Sequence, residues 1–487
     1  MIYLSQNLEL YNSDFRQMIQ AFLPGEKIVL KPEGTELAFQ AEFRDAVDGM
    51  EEQVKLSLYR VEDSGLQEPA LDRQTVVCRY RNKKEARNVI KAAAYHLLSR
   101  YTGKELPWGS MTGVRPTKFA TARVEAGWDD ESIIQEYETT YLTTRQKGEI
   151  CLQVARREQE LLTPFRYNEE YCLYVGIPFC LSRCLYCSFA SYPVAQYEDR
   201  VEKYLDALFK ELSFVADAYK DKRLVAIYMG GGTPTALSAG QLGRLIDFIY
   251  QRFNTEHVLE FTVEAGRPDS LDEEKFRMLK ERPVTRISIN PQTMNDETLR
   301  FIGRAHTSEM TIEAFKLARD CGMDNINMDM IVGLPNESLS MIEYTLERIE
   351  ELKPDSLTVH SLALKRSAEL NIQMQRYRDS ITGSTDEMLK AADRVARRLG
   401  MNPYYLYRQK NIPGNLENVG YAIPGKECLY NILIMEEKMD IIAVGAGTST
   451  KMVYKDSIGR IENVKNVDEY IARVDEMIER KRIEFSR

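Results

Sequence analysis

The sequence predicts an α/β protein built on a parallel sheet. Three observations support this fold class: short apolar segments alternate with amphipathic helices after residue 170, six such segments occur, and glycines, cysteines and acids stand where the segments end. Strands that alternate with helices form a parallel sheet with right-handed crossovers, either as an open layer or as a curved, partial barrel. Ligands bind at the carboxyl ends of the strands in both forms. The predicted strands are 171–177, 224–229, 259–265, 286–290, 326–332 and 356–362.

The region before these strands predicts a separate α+β domain. Alternating apolar residues at 54–61 and 75–81 indicate antiparallel strands, and helical spacing indicates helices at 83–103 and 130–162. Pro164 breaks the second helical pattern. A chain of 487 residues is too long for one ordinary core. We therefore expect three domains: an N-terminal domain (1–165), the strand–helix region (166–382) and a C-terminal extension that covers the substrate (383–487).

Composition excludes several classes of function. The formal net charge of −9 argues against general affinity for nucleic acid. The N-terminus lacks the basic and apolar run of a signal peptide, and no stretch approaches the roughly 18 uninterrupted apolar residues of a membrane span. These features predict a cytoplasmic protein with no membrane span and no nucleic-acid partner.

Three of the eight cysteines form a constellation, Cys180-x3-Cys184-x2-Cys187, directly after the first predicted strand. Three thiolates on one loop can converge on a metal, but a tetrahedral structural zinc site needs a fourth ligand. An iron–sulfur cubane held by three thiolates leaves one iron open to a substrate or cofactor. A zinc site completed by a distant residue, and unrelated buried cysteines, remain the alternatives.

Other candidate residues follow the later strands. Gly230, Gly231 and Gly232 end the second strand, where they permit close approach of a ligand or simply form a tight turn. Glu264, Gln292 and Asp329 stand at the third, fourth and fifth strands, and Arg304 and His306 follow. Taken alone, each of these residues also fits a structural role in which its polar atoms are hydrogen-bonded within the protein. Polar residues at successive strand ends together predict one shared pocket.

Several motifs resemble a known family. LYVGIPFCLSRCLYCSF (173–189) resembles the cluster loop of radical S-adenosylmethionine (SAM) enzymes. With YMGGGTPT (228–235) and the segments 288–307 and 327–338, it resembles the oxygen-independent coproporphyrinogen III oxidase branch. The segments 108–118 and 407–422 resemble the HemZ-type coproporphyrinogen dehydrogenase subgroup, so the resemblance spans nearly the whole chain. It implies a partial (β/α)6 barrel with an α+β N-terminal domain and a C-terminal extension.

The resemblance also implies the cofactors and the site. The three cysteines would bind a [4Fe-4S] cluster, and SAM would chelate the open iron. An unidentified donor would reduce the cluster, and the radical made from SAM would take hydrogen from the substrate. The residues implied to contact SAM are Tyr174, Gly230, Gly231, Gly232, Thr233, Glu264, Gln292, Arg304 and Asp329. The candidates for an anionic tetrapyrrole substrate are Arg115, Lys118, Arg366 and Arg408, each of which also fits a solvated surface charge.

Two positions depart from the pattern of the coproporphyrinogen oxidases. Phe189 stands where those enzymes carry a further cysteine, and Gly176 stands where they carry a histidine. The further cysteine is not a cluster ligand, and related haem chaperones also have phenylalanine there. The resemblance therefore implies oxidative decarboxylation of coproporphyrinogen III to protoporphyrinogen IX. The alternatives are a haem-binding chaperone, or another radical SAM reaction on haem such as methyl transfer or ring opening.

Overall fold

The computed structural model describes residues 1–46, 51–62, 65–189, 191–363, 385–409 and 415–486. Two compact units divide the chain. Unit 1 comprises Met1–Arg156 together with Leu406–Glu417, and unit 2 comprises Arg157–Tyr405 together with Asn418–Arg487. The three-domain division at 165 and 382 stays a prediction.

Unit 1 contains a six-stranded mixed sheet in the order β2-β1-β3-β4-β6, and β5 also pairs with β4. Its strands are β1 (Ile2–Gln6), β2 (Ile28–Val29), β3 (Leu37–Arg44), β4 (Gln53–Glu62), β5 (Gly65–Leu66) and β6 (Asp72–Val77). The helices of the N-terminal part are α1 (Asn12–Phe22), α2 (Lys83–Thr102), α3 (Thr117–Glu125), α4 (Asp130–Thr140) and α5 (Arg145–Leu162). Residues from α1, α2, β3 and β4 share one apolar core that includes Phe15, Phe39, Leu56 and Ile90.

The segment 130–162, predicted to be helical, contains two helices, α4 and α5, with a break between them. Leu142 has a positive φ of 57° between α4 and α5. The backbone N–H of Ser110 donates to the carbonyl of Tyr141 (2.7 Å), and the N–H of Thr144 donates to the carbonyl of Pro107 (2.8 Å). The main-chain groups at this break thus bond a distant loop and not the next turn of a helix.

Unit 2 is organised by an eleven-stranded sheet whose centre confirms the predicted α/β fold class. Six strands run parallel in the order β7-β10-β11-β12-β13-β14. They are β7 (Glu170–Ile177), β10 (Arg223–Gly231), β11 (Glu260–Glu264), β12 (Arg286–Ser288), β13 (Ile326–Val332) and β14 (Ser356–Ser361). The connecting helices are α6 (Glu198–Ala218), α7 (Ala239–Arg252), α8 (Glu273–Lys280), α9 (Asp296–Phe301), α10 (Ser308–Asp320) and α11 (Leu339–Leu352).

The C-terminal part extends this sheet at both edges. Beyond β14 lie β16 (Glu417–Ala422) and β15 (Asn402–Arg408), and beyond β7 lie β17 (Asp440–Val444), β18 (Ser449–Val453) and β19 (Ile458–Glu462). Strand β17 pairs in parallel with β7, from Asp440 opposite Tyr171 to Val444 opposite Val175. This seventh parallel strand is absent from the six strands predicted from the sequence. The remaining helices are α12 (Thr385–Arg398), α13 (Leu429–Glu436), α14 (Val467–Ala472) and α15 (Val474–Phe485), and the separate two-residue strands are β8 (Phe179–Cys180) and β9 (Tyr192–Pro193).

Local signals explain several helix boundaries. Helix α7 begins at a capping box in which the Gln241 N–H donates to the Ser238 hydroxyl and the Ser238 N–H donates to the Gln241 side chain. Helix α2 ends at Gly103, whose φ of 64° suits glycine. Within the described residues, no helix combines the length and apolarity that a membrane crossing requires.

Candidate active site

The cysteine loop leaves the carboxyl end of β7. Cys180 lies in β8 with its sulfur 3.5 Å from the Thr233 hydroxyl, and the Cys187 N–H donates to the carbonyl of Cys184 (3.1 Å). Burial raises the pKa of the Cys180 thiol to about 11, and the neighbouring thiols of Cys187 and Cys184 add to that shift. A bound metal group would supply the positive charge that these clustered thiols need for deprotonation.

Within the described residues, no three His, Cys, Asp or Glu side chains are arranged to hold a single metal ion. A cubane of four irons is wider than one ion, and each of its ligands binds a different iron. Its three thiolates therefore need not meet at one point.

The glycine run at the end of β10 lies directly against this loop. The N–H of Gly232 donates to the carbonyl of Ile177, and the N–H of Thr233 donates to the carbonyl of Phe179, both at 2.7 Å. A Cβ at Gly232 would stand 2.4 Å from the Phe179 oxygen and 3.0 Å from the Cys180 sulfur. Only glycine allows this approach between the two strand ends.

Gly230 of the same run leaves space beside Glu264. A Cβ at Gly230 would stand 2.9 Å from the Glu264 carboxyl carbon, and the intervening Gly231 has a φ of 107°. Glycine at this position thus keeps the backbone of the turn directly beside the carboxylate, where a side chain would clash with it.

Glu264 occupies the end of β11. The Tyr228 hydroxyl donates to its Oε1 at 2.5 Å. Burial, with a smaller contribution from the charge of Asp329, raises the pKa of this carboxyl to about 7 against the opposing effect of the Tyr228 hydrogen bond. Tyr228 also stacks with Tyr174 and Tyr430, with ring centroids 6.0 and 4.5 Å away. Glu264 is therefore a carboxyl group with a raised pKa beside stacked aromatic rings, as candidate ligand-binding residues often are.

Asp329 lies in β13. Its Oδ1 accepts from the Asn327 amide at 2.7 Å, and its Oδ2 lies 3.8 Å from Nε2 of His360. Burial disfavours the charge, but His360 and Asn327 together hold the pKa of Asp329 below its usual value. Gln292 adjoins it: its N–H donates to the Asp329 carbonyl (2.9 Å) at a positive φ of 65°. The structure thus brings Gln292, Asp329 and, through the charge interaction, Glu264 together.

Two buried guanidinium groups accompany the cysteine loop. Arg304 donates to the carbonyl of Asn290 at 2.6 Å, and Arg267 has its Nη1 3.8 Å from the Cys184 sulfur. Burial and the positive charge of Arg304 lower the pKa of His306 to about 3, so this imidazole is neutral near neutral pH.

The four residues proposed to bind the substrate differ in their surroundings. Arg408 is buried in unit 1, where it donates to the carbonyls of Met111 (2.6 Å) and Asn415 (2.9 Å), and burial lowers its pKa to about 10. Lys118 is exposed and Arg115 is half-buried. Arg366 lies outside the described residues. The assignment of these four to a substrate stays a prediction.

Sequence reasoning missed Tyr228, Tyr430, His360 and Arg267. Tyr228 was detectable, because period-2 alternation places it on the same face of β10 as Gly230. Arg267, in the motif EAGRPD, follows a predicted strand end directly. Tyr430 had no local signal, since it reaches the stack from a helix about two hundred residues later in the chain.

Comparison with known proteins identifies the family. The radical SAM superfamily model matches residues 174–349. The chain is 40% identical, over 387 residues, to the oxygen-independent coproporphyrinogen-III oxidase-like protein HemZ of Bacillus subtilis (strain 168), covering 79% of this chain and 77% of that protein. The chain belongs to this family of radical SAM proteins.

Two further matches place this family member among its relatives. It is 32% identical over 278 residues to the heme chaperone HemW of Lactococcus lactis (strain IL1403), covering 57% of this chain and 68% of that protein. The coproporphyrinogen III oxidase HemN of Escherichia coli, a radical SAM enzyme, matches in structure with a TM-score of 0.52 and 24% identity, covering 66% of this chain and 73% of that one. The second match supports the fold.

The cofactors of this radical SAM protein are a [4Fe-4S] cluster and SAM. The residues present fit both groups. Three interacting thiols on one loop, Cys180, Cys184 and Cys187, suit the cluster. The backbone cradle beside Glu264, which a Cβ at Gly230 would fill, suits a ligand with polar ends.

Proposed function

We propose that this radical SAM protein acts on a tetrapyrrole, and that its reaction is the oxygen-independent oxidative decarboxylation of coproporphyrinogen III to protoporphyrinogen IX. The observation that carries the proposal is the extent of its likeness to HemZ. The alignment covers 387 residues, more than twice the length of the radical SAM match at 174–349. Segments outside a shared catalytic domain are the ones that adapt a fold to its substrate, so they support a shared substrate class.

The proposed roles follow the geometry of the site. Cys180, Cys184 and Cys187 hold the cluster. When bound, the cluster and SAM supply the radical that takes a hydrogen atom from the substrate. The residues proposed to hold SAM are Tyr174, Gly230, Gly231, Gly232, Thr233, Glu264, Gln292, Arg304 and Asp329. A cationic amino group beside Glu264 offsets the burial that raises its pKa, so ligand binding favours the carboxylate.

The proposed reaction converts each reacting propionate to a vinyl group. One hydrogen atom leaves the carbon next to the ring, the carboxylate leaves as CO2, and one electron passes to an acceptor as the vinyl group forms. Dioxygen entering with solvent would quench the substrate radical, so the walls of the site must be closed to solvent. The stacked rings of Tyr174, Tyr228 and Tyr430, of which Tyr430 is buried and the other two are half-buried, form part of such a wall.

An anaerobic assay tests the proposal. Reconstituted protein is incubated with SAM, a reductant and either coproporphyrinogen III or haem, and the products are separated chromatographically. Vinyl products with one deoxyadenosine and one CO2 for each propionate lost support the decarboxylase. SAM cleavage only with haem, giving a methylated or opened macrocycle, would overturn it.

Haem chaperone activity is the second candidate function. The 32% identity to HemW supports it, as does Phe189, which follows the cysteine loop and is 61% exposed. Tight haem binding and delivery to an acceptor protein, without turnover of coproporphyrinogen III in the same assay, would establish this function in place of the first.

Substitution of one cysteine tests the cluster ligands. Cys184→Ala should abolish the brown chromophore and SAM cleavage, because two thiolates cannot replace three. Cys172→Ala is the control, since Cys172 is buried in β7 with its sulfur 3.8 Å from the Met439 sulfur. Equal loss of the chromophore in both variants, measured by absorbance and iron content, would contradict the ligand assignment.

A further inference from the structure

The cysteine loop is held by groups outside it. The Ser182 hydroxyl donates to the carbonyl of Gly303 (2.9 Å), and the Leu185 N–H donates to the carbonyl of Ile302 (2.9 Å). Arg267 reaches the same loop from the end of β11. Its Nη1 lies 3.1 Å from the Ser182 hydroxyl and 3.8 Å from the Cys184 sulfur. One guanidinium therefore contacts both the Ser182 hydroxyl and the thiol of a proposed cluster ligand.

The Arg267 side chain has little freedom to leave this position. It is only 3% exposed and forms two bonds to Asp269, from Nε to Oδ1 (2.9 Å) and from Nη2 to Oδ2 (2.7 Å). The backbone is fixed as well, because Pro268 follows and the Ser270 hydroxyl donates to the Arg267 carbonyl (2.7 Å). Burial works against the cation, yet Asp269 keeps the pKa of Arg267 above its usual value. The group is a fixed positive charge.

The other ionisable groups around Cys184 do not cancel this charge. Arg304 is a second buried cation that interacts with Cys184 and Tyr186, and it also opposes the charge of Arg267. His306 is neutral, with a pKa lowered to about 3 by burial and then by Arg304. Asp269 is the carboxylate of the set. Two cations and one carboxylate leave a net positive charge beside the sulfur.

A positive charge near an iron–sulfur cluster favours its reduced form. Each reduction adds one electron, and the net charge and the hydrogen bonds to the cysteine sulfurs set the potential. In a buried site the charge acts with little screening by solvent.

We infer that Arg267 is a positioning residue for the cluster, which fixes the Ser182–Cys184 segment and raises the reduction potential by placing its guanidinium beside the Cys184 sulfur. The inference depends on the cluster and not on the tetrapyrrole. A failure of the proposed substrate would therefore leave it intact.

The test is a redox titration of the full-length reconstituted protein, followed by electron paramagnetic resonance of the reduced cluster. Arg267→Gln should shift the midpoint to more negative potential, so that a smaller fraction of the cluster is reduced at a fixed potential. Arg267→Lys keeps the positive charge but loses the paired bonds to Asp269. Its midpoint potential should stay close to the wild-type value. Iron and sulfide content is measured on every sample.

A matched control is available in the same unit. Arg282 forms the same pair of bonds with Asp247 (2.9 and 2.7 Å). It precedes β12, so it lies towards the amino ends of the parallel strands, whereas the cysteine loop follows a carboxyl end. Arg282→Gln should leave the midpoint unchanged. A fully loaded Arg267→Gln protein with the wild-type midpoint would overturn the inference. If that variant loses iron, Arg267→Lys decides, and a loaded Arg267→Lys protein with a clearly more negative midpoint would also overturn it.

Discussion

Two glutamates, Glu417 buried in unit 1 and Glu264 half-buried in unit 2, differ in the groups that surround their carboxylates. Glu417 in unit 1 accepts from the Lys147 ammonium on Oε1 (2.5 Å) and from the Trp108 indole on Oε2 (2.6 Å). Glu264 in unit 2 accepts from the neutral hydroxyl of Tyr228, and the negative charge of Asp329 opposes its ionisation. The first carboxylate has a cation and a second strong donor. The second has its pKa raised to about 7 by burial.

We propose that this difference separates a structural carboxylate, Glu417, from a ligand-binding one, Glu264. Lys147 lies in α5, Trp108 in the loop before α3, and Glu417 in the returning segment Leu406–Glu417, so their bonds join three distant parts of unit 1. Glu264 joins only neighbouring strands, and its incomplete compensation costs stability. Proteins retain such costs where a ligand supplies the missing charge. The comparison therefore predicts loss of stability from one site and loss of ligand binding from the other.

Removal of the cation from Glu417 should have the largest effect. Lys147→Met leaves a buried carboxylate without its ammonium partner, which costs about 3–5 kcal/mol of unfolding free energy. Urea unfolding followed by circular dichroism measures the loss. Lys210→Met is the matched control, because Lys210 pairs with Asp475 at 54% and 78% side-chain exposure and should lose at most about 1 kcal/mol. Equal losses in the two variants would show that Glu417 is not a structural centre.

The second effect in order of size should be a pH dependence of the unfolding free energy that is caused by Glu264. Its pKa is raised from 4.5 to about 7 in the folded protein, so its contribution is fully present below the unfolded value and is lost as pH rises through the folded one. Without SAM, the wild-type protein should lose about 2–3 kcal/mol relative to Glu264→Gln between about pH 5 and about pH 8. Unfolding midpoints at several pH values measure the difference. Parallel curves for the two proteins would contradict the raised pKa.

The centre of unit 2 could be predicted from the sequence, because each parallel strand has a local sequence signal. The predicted strand 326–332 is β13 (Ile326–Val332), and 171–177 is β7 (Glu170–Ile177). Buried parallel strands are continuous apolar runs between helices, and their ends mark the pocket. Glu264, at the end of β11, and Asp329, within β13, could be identified as candidates for the same reason.

What the sequence could not predict depends on contacts between distant residues. Strand β17 has only five residues, and its partner β7 lies about 270 residues earlier. Nothing in the sequence around Glu417 distinguishes it from other polar residues. Its structural role follows only from its contacts with Lys147 and Trp108. Arg267 likewise acquires a role only when the cysteine loop folds over it. Burial and partners decide such cases, and neither is a local property of the chain.

The smallest expected effect comes from removing one neutral donor from each glutamate. Tyr228→Phe keeps the stacked ring but deletes the hydrogen bond to Glu264, a bond that lowers the pKa of this carboxyl. The carboxyl should then bind its proton more tightly, and SAM affinity should fall by about 1 kcal/mol, or roughly fivefold. Calorimetric titration with SAM measures the change, which should be larger near pH 6.5 than near pH 8.5 because the carboxylate is then harder to form.

Trp108→Phe is the corresponding variant, since it deletes the indole donor to Glu417 and replaces a fully buried ring with a smaller one. It should cost about 1–3 kcal/mol of stability, because Glu417 is left with a buried oxygen short of one partner, and it should leave SAM affinity unchanged. A Tyr228→Phe protein that loses as much stability as Trp108→Phe, with normal SAM affinity at both pH values, would mean that Glu264 is a structural carboxylate like Glu417. The opposite outcome would assign the raised pKa of Glu264 to ligand binding, because stability and affinity would then respond separately at the two sites.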